Sequence, residues 1–360
     1  MIVPVNLGRR SYTIVVESGA LATVGPRLRA LGVGGRAVVI TDASVHALHG
    51  APVLDSLRGA GLQVTVIEVP AGEAAKTLAV AESCWDRFVS AGLDRTSTVL
   101  ALGGGTVGDL AGFVAATYMR GTNFVTLPTT VLAQVDASSG GKTAINHPLA
   151  KNLIGSFHQP RLVIVDPAVV QTMPERDFRS GLAEMVKHGV VLDAGYFAEL
   201  ERDAPLLLAR DLTALERAIG GSCRIKASVV ERDEQEAELR HVLNYGHTIG
   251  HAIEAVTRYE RLTHGEAVAL GMAAEATLAL RLGIAGDDTP RRQNRLLSAL
   301  GLPVRLTSVD PDAIVTAIGH DKKGRDGRVP FVLAPRIGEF KIVYDIPAGD
   351  VRAVLVELGG

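Results

Sequence analysis

The sequence predicts two domains of different class: an α/β domain over residues 1–173, with a parallel sheet covered by helices, and a mainly α-helical domain over residues 174–360. Three observations carry that reading. Short β-branched runs recur through the first half with helix-patterned stretches between several of them, a glycine-rich segment directly follows one of those runs, and from about Pro174 long helical patterns replace the strands. At 360 residues the chain is too long for one ordinary core and comfortable as two.

The strand candidates are residues 12–16, 37–41, 63–69, 98–102, 123–127 and 162–165. Several are apolar nearly throughout, as in a parallel strand buried on both faces. Helical patterns at 79–91 and 109–119 fall between them. In the second half the helical stretches are 179–192, 212–232, 244–257, 266–282 and 290–300. Residues 329–333 and 340–344 flank Pro335, Arg336, Ile337 and Gly338, which predicts a small hairpin, with one short helix after it. No internal repeat or low-complexity segment interrupts the pattern.

Composition narrows the function. With 47% hydrophobic and 21% charged residues the chain is an ordinary folded protein, not a disordered one. A net charge of −2 and scattered arginines leave no basic stripe for nucleic acid or an anionic membrane. Cys84 and Cys223 are far apart and each lacks a nearby second cysteine, so neither a disulfide framework nor a cysteine zinc knuckle is available. The first residues lack the basic start and apolar core of a signal peptide, and Glu275 and Arg281 break the apolar run at 267–282. A cytoplasmic protein is expected.

Gly103-Gly104-Gly105-Thr106-Val107-Gly108 fits G-x-G-x-x-G, with a strand before it and a helix after it, so backbone amides and the positive end of a helix would face a pyrophosphate. A tight turn against a neighbouring element would also select glycines here. The acidic residue expected about twenty positions later in a Rossmann unit is missing, and Asp42 at the end of an earlier strand is the better candidate for a ribose hydroxyl. Ser139-Gly140-Gly141-Lys142-Thr143 resembles the tail of a Walker A loop, but Asp136 stands where that pattern needs glycine and would repel nucleotide phosphates. Lys142 instead reads as a cation beside glycine amides, suited to a smaller anion.

Three of the ten histidines, His247, His251 and His264, lie within eighteen residues. A helix through this segment puts His247, His251 and Glu254 on one face, with Asn244 at its edge and Arg240 preceding it. Divalent zinc accepts imidazole nitrogen and carboxylate oxygen. His247 with His251 is the pair favoured by spacing, and His247 with His264 works if two helices converge. Glu184, sharing a helix face with Lys187, is a candidate third ligand. Lys142, Lys151, Lys187, Lys226, Arg120 and the pair Lys322–Lys323 sit in apolar or glycine-rich settings, matching a substrate with phosphate or carboxylate groups. From the residues alone the reading is a dinucleotide and a divalent metal acting on a small anionic, hydroxylated molecule.

Several long motifs add a resemblance. Asp136-Ala137-Ser138-Ser139-Gly140-Gly141-Lys142-Thr143-Ala144-Ile145-Asn146, Lys151-Asn152-Leu153-Ile154-Gly155-Ser156-Phe157, Gly181-Leu182-Ala183-Glu184-Met185-Val186-Lys187, the stretch from Leu243 through Glu254, and His264-Gly265-Glu266-Ala267-Val268 occur in the order of the 3-dehydroquinate synthases, which this chain resembles over nearly its whole length. The resemblance implies a Rossmann-like nucleotide-binding domain, a C-terminal metal-binding domain, an active site between them and a homodimer. It implies Glu184, His247 and His264 as ligands of Zn2+ or Co2+, with His251 on the substrate side.

For NAD it implies Asp42, Glu73, Lys76, Gly103, Gly104, Gly105, Val107, Asp109, Thr129, Thr130 and Thr172, with Asp136, Lys142 and Lys151 near both cofactor and substrate. The substrate set is Asp136, Lys142, Lys151, Asn152, Lys187, Lys226, Arg240, Asn244, His251 and one or both of Lys322 and Lys323. Arg120 is implied to reach the substrate phosphate across the dimer interface. Lys142, Lys187, Lys226, Arg240, Asn244 and His251 are the implied catalytic residues. The implied reaction converts 3-deoxy-D-arabino-heptulosonate 7-phosphate to 3-dehydroquinate and phosphate, by transient oxidation, elimination, reduction and an intramolecular aldol closure, in the shikimate pathway.

Three departures from the family pattern stand out: Ala137 where serine is frequent, and Ala150 and Glu238 where glycine is common. Two other readings compete: a related sugar phosphate cyclase with a different substrate, and a metal-dependent polyol dehydrogenase, which would accumulate NADH.

Overall fold

The computed structural model describes residues 1–307, 309–321 and 328–359. Two compact units form, one from Met1–Met173 with Leu215–Gln235 and one from Pro174–Ala214 with Glu236–Gly360.

In the first unit β1 (Ile2–Val5) pairs antiparallel with β2 (Tyr12–Val16). Then follow α1 (Val24–Ala30), β3 (Arg36–Asp42), α2 (Ala43–Gly59), β4 (Gln63–Val69), α3 (Leu78–Ser90), β5 (Thr98–Gly103), α4 (Gly105–Thr117) and β6 (Asn123–Pro128). A separate hairpin of β7 (Lys142–His147) and β8 (Ala150–Phe157) precedes β9 (Leu162–Val165). The seven-stranded sheet has the order β1-β2-β9-β6-β5-β3-β4 and is parallel from β2 onward. Val38, Ile40, Val99 and Ala101 of the sheet pack against Phe88, Leu110 and Val114 of the covering helices. β4 and β5 flank β3 on opposite sides, so the strand order reverses at the carboxyl ends of β3 and β5. Asp42 and Gly103 end those two strands, which is where an open parallel sheet offers a crevice for ligands.

Two strand features escape the periodicity reading. β1 is four residues long with Pro4 inside it, a composition tolerated only at a sheet edge. The β7–β8 hairpin lies outside the main sheet, and most of β8 is exposed, so no alternation marks it.

The second unit contains α5 (Glu175–Leu192) and α6 (Ala194–Leu208). α7 (Leu212–Arg232) then enters the first unit for most of its length. The sequence division at residue 174 does not anticipate this return. Helical periodicity shows that one face is buried, not what it is buried against; here Cys223 Sγ lies 3.3 Å from the Gln134 carbonyl oxygen and Glu231 accepts from the Asn6 amide at 2.6 Å. A 3-10 turn (Leu239–Asn244) leads to α8 (His247–Val256), α9 (His264–Arg281), α10 (Asp288–Ala299) and α11 (Pro311–Asp321). The expected hairpin is β10 (Phe331–Leu333) with β11 (Lys341–Val343), and α12 (Ala348–Gly359) ends the chain. Among the described residues no helix is long and apolar enough to cross a membrane.

Helices α5, α8 and α9 approach one another through glycine. A Cβ at Gly271 of α9 would lie 1.9 Å from the Gly246 carbonyl oxygen, just before α8, and one at Gly265 would lie 1.8 Å from the Ser180 carbonyl oxygen of α5. Gly246 itself has φ +78°, so it meets the turn into α8 without the strain a side chain would add. The Thr263 side chain and Glu266 form a reciprocal capping box that fixes the start of α9 at His264. Gly271→Ala should lower the stability of the chain by about 2–3 kcal/mol, since backbone must move to admit the methyl group. Gly349→Ala, where a Cβ meets nothing within 4 Å, should leave the urea-unfolding midpoint unchanged or slightly raised.

Candidate active site

In the second unit the converging helices bring Glu184, His247 and His264 together. One donor atom from each lies within 4.8 Å of the others. Glu184 Oε1 is 3.6 Å from His247 Nε2 and 3.8 Å from His264 Nε2. Glu184 is 0% exposed, with no water to share its charge. Its charge is matched by an ion pair with Lys187, one turn further along α5. A carboxylate held dry beside two imidazole nitrogens suits a divalent ion of the zinc or cobalt type.

The ring orientations support that fit. The Tyr245 carbonyl lies 3.0 Å from His247 Nδ1 and can only accept, so Nδ1 carries the proton and Nε2 is left with its lone pair toward Glu184. Burial, reinforced by the charges of Lys187, His264 and His251, holds the His247 imidazole well below its ordinary value, hence neutral and ready to ligate. For His264 burial also works against the charged form, but the hydrogen bond to Glu254 and the charges of Glu184 and Glu254 outweigh it, and the net shift is upward. His251 is exposed, one turn beyond His247 with ring centroids 5.2 Å apart, and its donor atoms group with those of Glu254 and His264. The pair favoured by spacing is therefore not the pair that faces Glu184.

In the first unit the glycine segment is the junction where β5 passes into α4. A Cβ at Gly103 would lie 2.7 Å from Val107, one at Gly104 3.2 Å from Thr130, and one at Gly105 3.2 Å from Ala137. No side chain caps α4, so its first amides and its positive end face a cradle that side chains would fill. That arrangement fits a dinucleotide pyrophosphate. Thr129 donates its amide to the Gly103 carbonyl at 3.0 Å, and Asp42 caps α2 through Ser44 and Val45, each at 3.0 Å. Thr172 Oγ1 lies 3.0 Å from His49 Nε2.

Buried lysines are met by carboxylates here as well. Lys76 Nζ is 2.6 Å from Asp109 Oδ2 and also donates to the Asn152 side chain. Burial pushes the Asp109 carboxyl upward, against the pull of Lys76. Lys226 Nζ is 2.6 Å from Asp136 Oδ1, and Asp136 lies in a π-helical turn, Ala133–Ala137. Asn146 ties this region together: it donates to Glu73 at 2.6 Å and accepts the Asn152 amide at 3.0 Å. Lys142, Lys151 and Asn152 are exposed on the β7–β8 hairpin. In the second unit Arg240 is buried, Asn244 half-buried and Glu238 exposed. Lys322 and Lys323 lie outside the described residues.

Sequence reasoning missed Asn146 and Glu275. Asn146 stood only inside a longer motif, without a role. Glu275 interrupts an apolar helical run, and a buried carboxylate in such a run was the available signal. It is fully buried in α9 and accepts the Gly246 amide at 2.6 Å, holding the start of the helix that carries His247.

A phosphate cradle at the strand-order reversal and a Glu-His-His donor set define a dinucleotide- and metal-dependent enzyme. Residues 66–180 match the family description 3-dehydroquinate synthase N-terminal, and residues 181–324 match 3-dehydroquinate synthase C-terminal. The chain belongs to the 3-dehydroquinate synthase family. It is 48% identical to the 3-dehydroquinate synthase of Desulforamulus reducens, over 98% of this chain and 99% of that relative. Its fold is similar to that of 2-epi-5-epi-valiolone synthase from Streptomyces hygroscopicus, solved with NAD+ and Zn2+ bound, at a TM-score of 0.88 and 30% identity over 96% of each chain. A 2-deoxy-scyllo-inosose synthase solved with carbaglucose-6-phosphate, NAD+ and Co2+ matches with a TM-score of 0.89 and 25% identity, over 99% of this chain and 100% of that one.

Burial raises the Glu275 carboxyl to about 8, although the amides of Gly246, Ile249 and Thr248 pull the other way. Between the ordinary carboxyl value and that one, the folded chain holds a proton that the unfolded chain has lost, so Glu275 costs stability as pH rises. The stability of Glu275→Gln relative to the parent should therefore improve from pH 5 to pH 8, by up to about 1.4 kcal/mol per pH unit. Urea unfolding of both proteins across that range measures it, and a gap that stays flat or narrows would contradict the assignment.

Proposed function

We propose that this chain is a 3-dehydroquinate synthase that converts 3-deoxy-D-arabino-heptulosonate 7-phosphate to 3-dehydroquinate and inorganic phosphate, with NAD and a divalent Zn2+ or Co2+ ion. The observation that carries the proposal is the convergence of Glu184, His247 and His264 in a chain whose relatives, over nearly their full length, are synthases of this kind. When bound, NAD accepts and returns the hydride at C5 of the sugar acid, and the divalent ion draws electron density from the C5 oxygen. Glu184, His247 and His264 hold the ion. Gly103, Gly104, Gly105 and Val107 receive the cofactor phosphates, with Asp42, Glu73, Lys76, Asp109, Thr129, Thr130 and Thr172 around the rest of NAD.

The net conversion breaks a C6–H bond, the C7–O bond to phosphate and the ring C2–O bond, forms a C2–C7 bond and leaves the former ring oxygen on C6 as a ketone, with no net oxidation. Lys142, Lys151, Asn152, Lys226 and Arg240 would serve the phosphate and carboxylate of the substrate; Lys322 and Lys323, expected to join them, lie outside the described residues. Their donors replace the water those anions give up. Lys187, Asn244 and His251 serve the oxygen positions where charge develops. Holding both ends of one flexible molecule supplies the entropic advantage of ring closure. A cytoplasmic setting suits this chemistry: both cysteines are buried and unpaired, and burial raises each thiol to about 12, leaving them inert.

We also assign a homodimer in which Arg120 completes the partner's substrate site. The β7–β8 hairpin exposes Leu149 at 89%, Leu153 at 75% and Phe157, an apolar surface that needs a cover. Met119 and Arg120 both adopt left-handed backbone conformations, and two residues on the Thr122 carbonyl accepts from His158, the residue after β8, which ties this turn to the hairpin.

Purified protein given the heptulosonate phosphate should release phosphate only with NAD and metal present, show no net NADH, and lose activity in Glu184→Ala or His264→Ala. Cyclisation of sedoheptulose 7-phosphate with the heptulosonate ignored would favour a related cyclase, and NADH accumulating with product would favour a dehydrogenase. Mixing inactive Arg120→Ala with inactive Lys187→Ala and allowing subunits to exchange should restore about a quarter of the parent activity, because half the dimers are mixed and each has one intact site. No recovery from exchanged subunits would place Arg120 in its own subunit's site.

A further inference from the structure

We infer that Glu254 is a positioning residue for the metal: its carboxylate accepts a hydrogen bond from His264 Nδ1–H and so turns Nε2 toward Glu184 and His247, without ligating the ion itself. The inference rests on the proposed metal site and assigns a role to a residue outside its ligand set.

Its basis is the arrangement around one imidazole ring. Glu254 Oε1 lies 3.1 Å from His264 Nδ1, while His264 Nε2 lies 3.8 Å from Glu184 Oε1. The Nδ1–H bond and the Nε2 lone pair point in divergent directions, so an ion shared by Nε2 and Glu184 sits on the far side of the ring from Glu254. Glu254 is 8% exposed, and a carboxylate so far from water is kept only with a partner of matching charge or a donated hydrogen bond. Its position two turns beyond His247 on α8 lets one helix supply both a ligand and the support for another ligand.

His247 is oriented in the same way by a weaker acceptor, the Tyr245 carbonyl at 3.0 Å. The two histidines therefore differ: a neutral dipole fixes His247, and a full negative charge fixes His264. With a cation on Nε2, the Nδ1–H bond to Glu254 would remain and would strengthen electron donation from the ring.

A competing geometry exists, because His251, Glu254 and His264 also offer donor atoms within 4.8 Å of one another. In that arrangement Glu254 would be a ligand. The two assignments separate on substitution. An amide at 254 still accepts from Nδ1–H through its oxygen but is a poor ligand, whereas alanine removes both capacities.

The test strips the full chain with a chelator and reloads it with Zn2+ or Co2+, for the parent, Glu254→Gln, Glu254→Ala and, as the ligand reference, Glu184→Gln. Zinc affinity by competition with a chromophoric chelator should fall about 10- to 100-fold in Glu254→Ala and largely recover in Glu254→Gln. The visible absorption of the cobalt form should stay close to that of the parent in Glu254→Gln and change in Glu184→Gln. The metal-free variants should melt with the metal-free parent.

Unchanged zinc affinity in Glu254→Ala would overturn the inference. So would loss of the cobalt bands in Glu254→Gln to the extent seen in Glu184→Gln, which makes Glu254 a ligand, or a metal-free melting loss that accounts for the whole affinity change. A parent protein that binds neither ion tightly would instead overturn the metal site on which the inference stands.

Discussion

The close approach of α5, α8 and α9 is the constraint on which the donor set depends. An imidazole and a carboxylate on different helices reach one ion only if the approach of those helices is fixed. Gly265 against Ser180 and Gly271 against Gly246 remove the side chains that would hold the three helices apart. Those contacts fall one residue after His264, four before Glu184 and one before His247. The close-packing sites and the ligands are therefore nearly the same stretch of chain. Error in a ligand's position can accumulate over only a few bonds, which is how a site on separate helices reaches the tolerance a metal requires.

Charge is treated consistently in both units. Lys187, Lys76 and Lys226 are almost completely buried, and each faces a carboxylate: Glu184, Asp109 and Asp136. Such pairs are weak evidence for stability, because desolvation offsets much of the attraction. They are better understood as ions held ready. A lysine already desolvated and aimed can turn to an incoming anion without first shedding water, and its carboxylate partner keeps the empty site from carrying an uncompensated charge. Lys142 and Lys151, by contrast, are exposed and bear no such desolvation.

The parallel sheet was legible because buried parallel strands are nearly continuous apolar runs; the boundaries of β2, β4 and β9 match the expected runs residue for residue. The clustering of the histidines was legible too, but not their pairing. Spacing on one helix favours His247 with His251, and only the tertiary approach of α9 decides that His264 is the second imidazole facing Glu184. The return of α7 to the first unit was hidden for the same reason: amphipathicity names a face, not its neighbour. Asn146 was invisible as a hub because its three bonds reach Glu73, Lys76 and Asn152, positions far apart along the sequence or across an exposed hairpin with no periodic signal.

The three departures from the family pattern show which chemical demands belong to the backbone and which to the side chain. Ala150 opens β8 and is not among the residues with positive φ, so the freedom of glycine is not needed there. Asn152, two residues on, does take φ +58°, a conformation asparagine tolerates better than most residues, and it is kept. Glu238, which precedes the 3-10 turn, is exposed to solvent, whereas Arg240 within the turn is buried. Ala137 is exposed and its side chain packs toward Gly105, where a hydroxyl is not required for close approach.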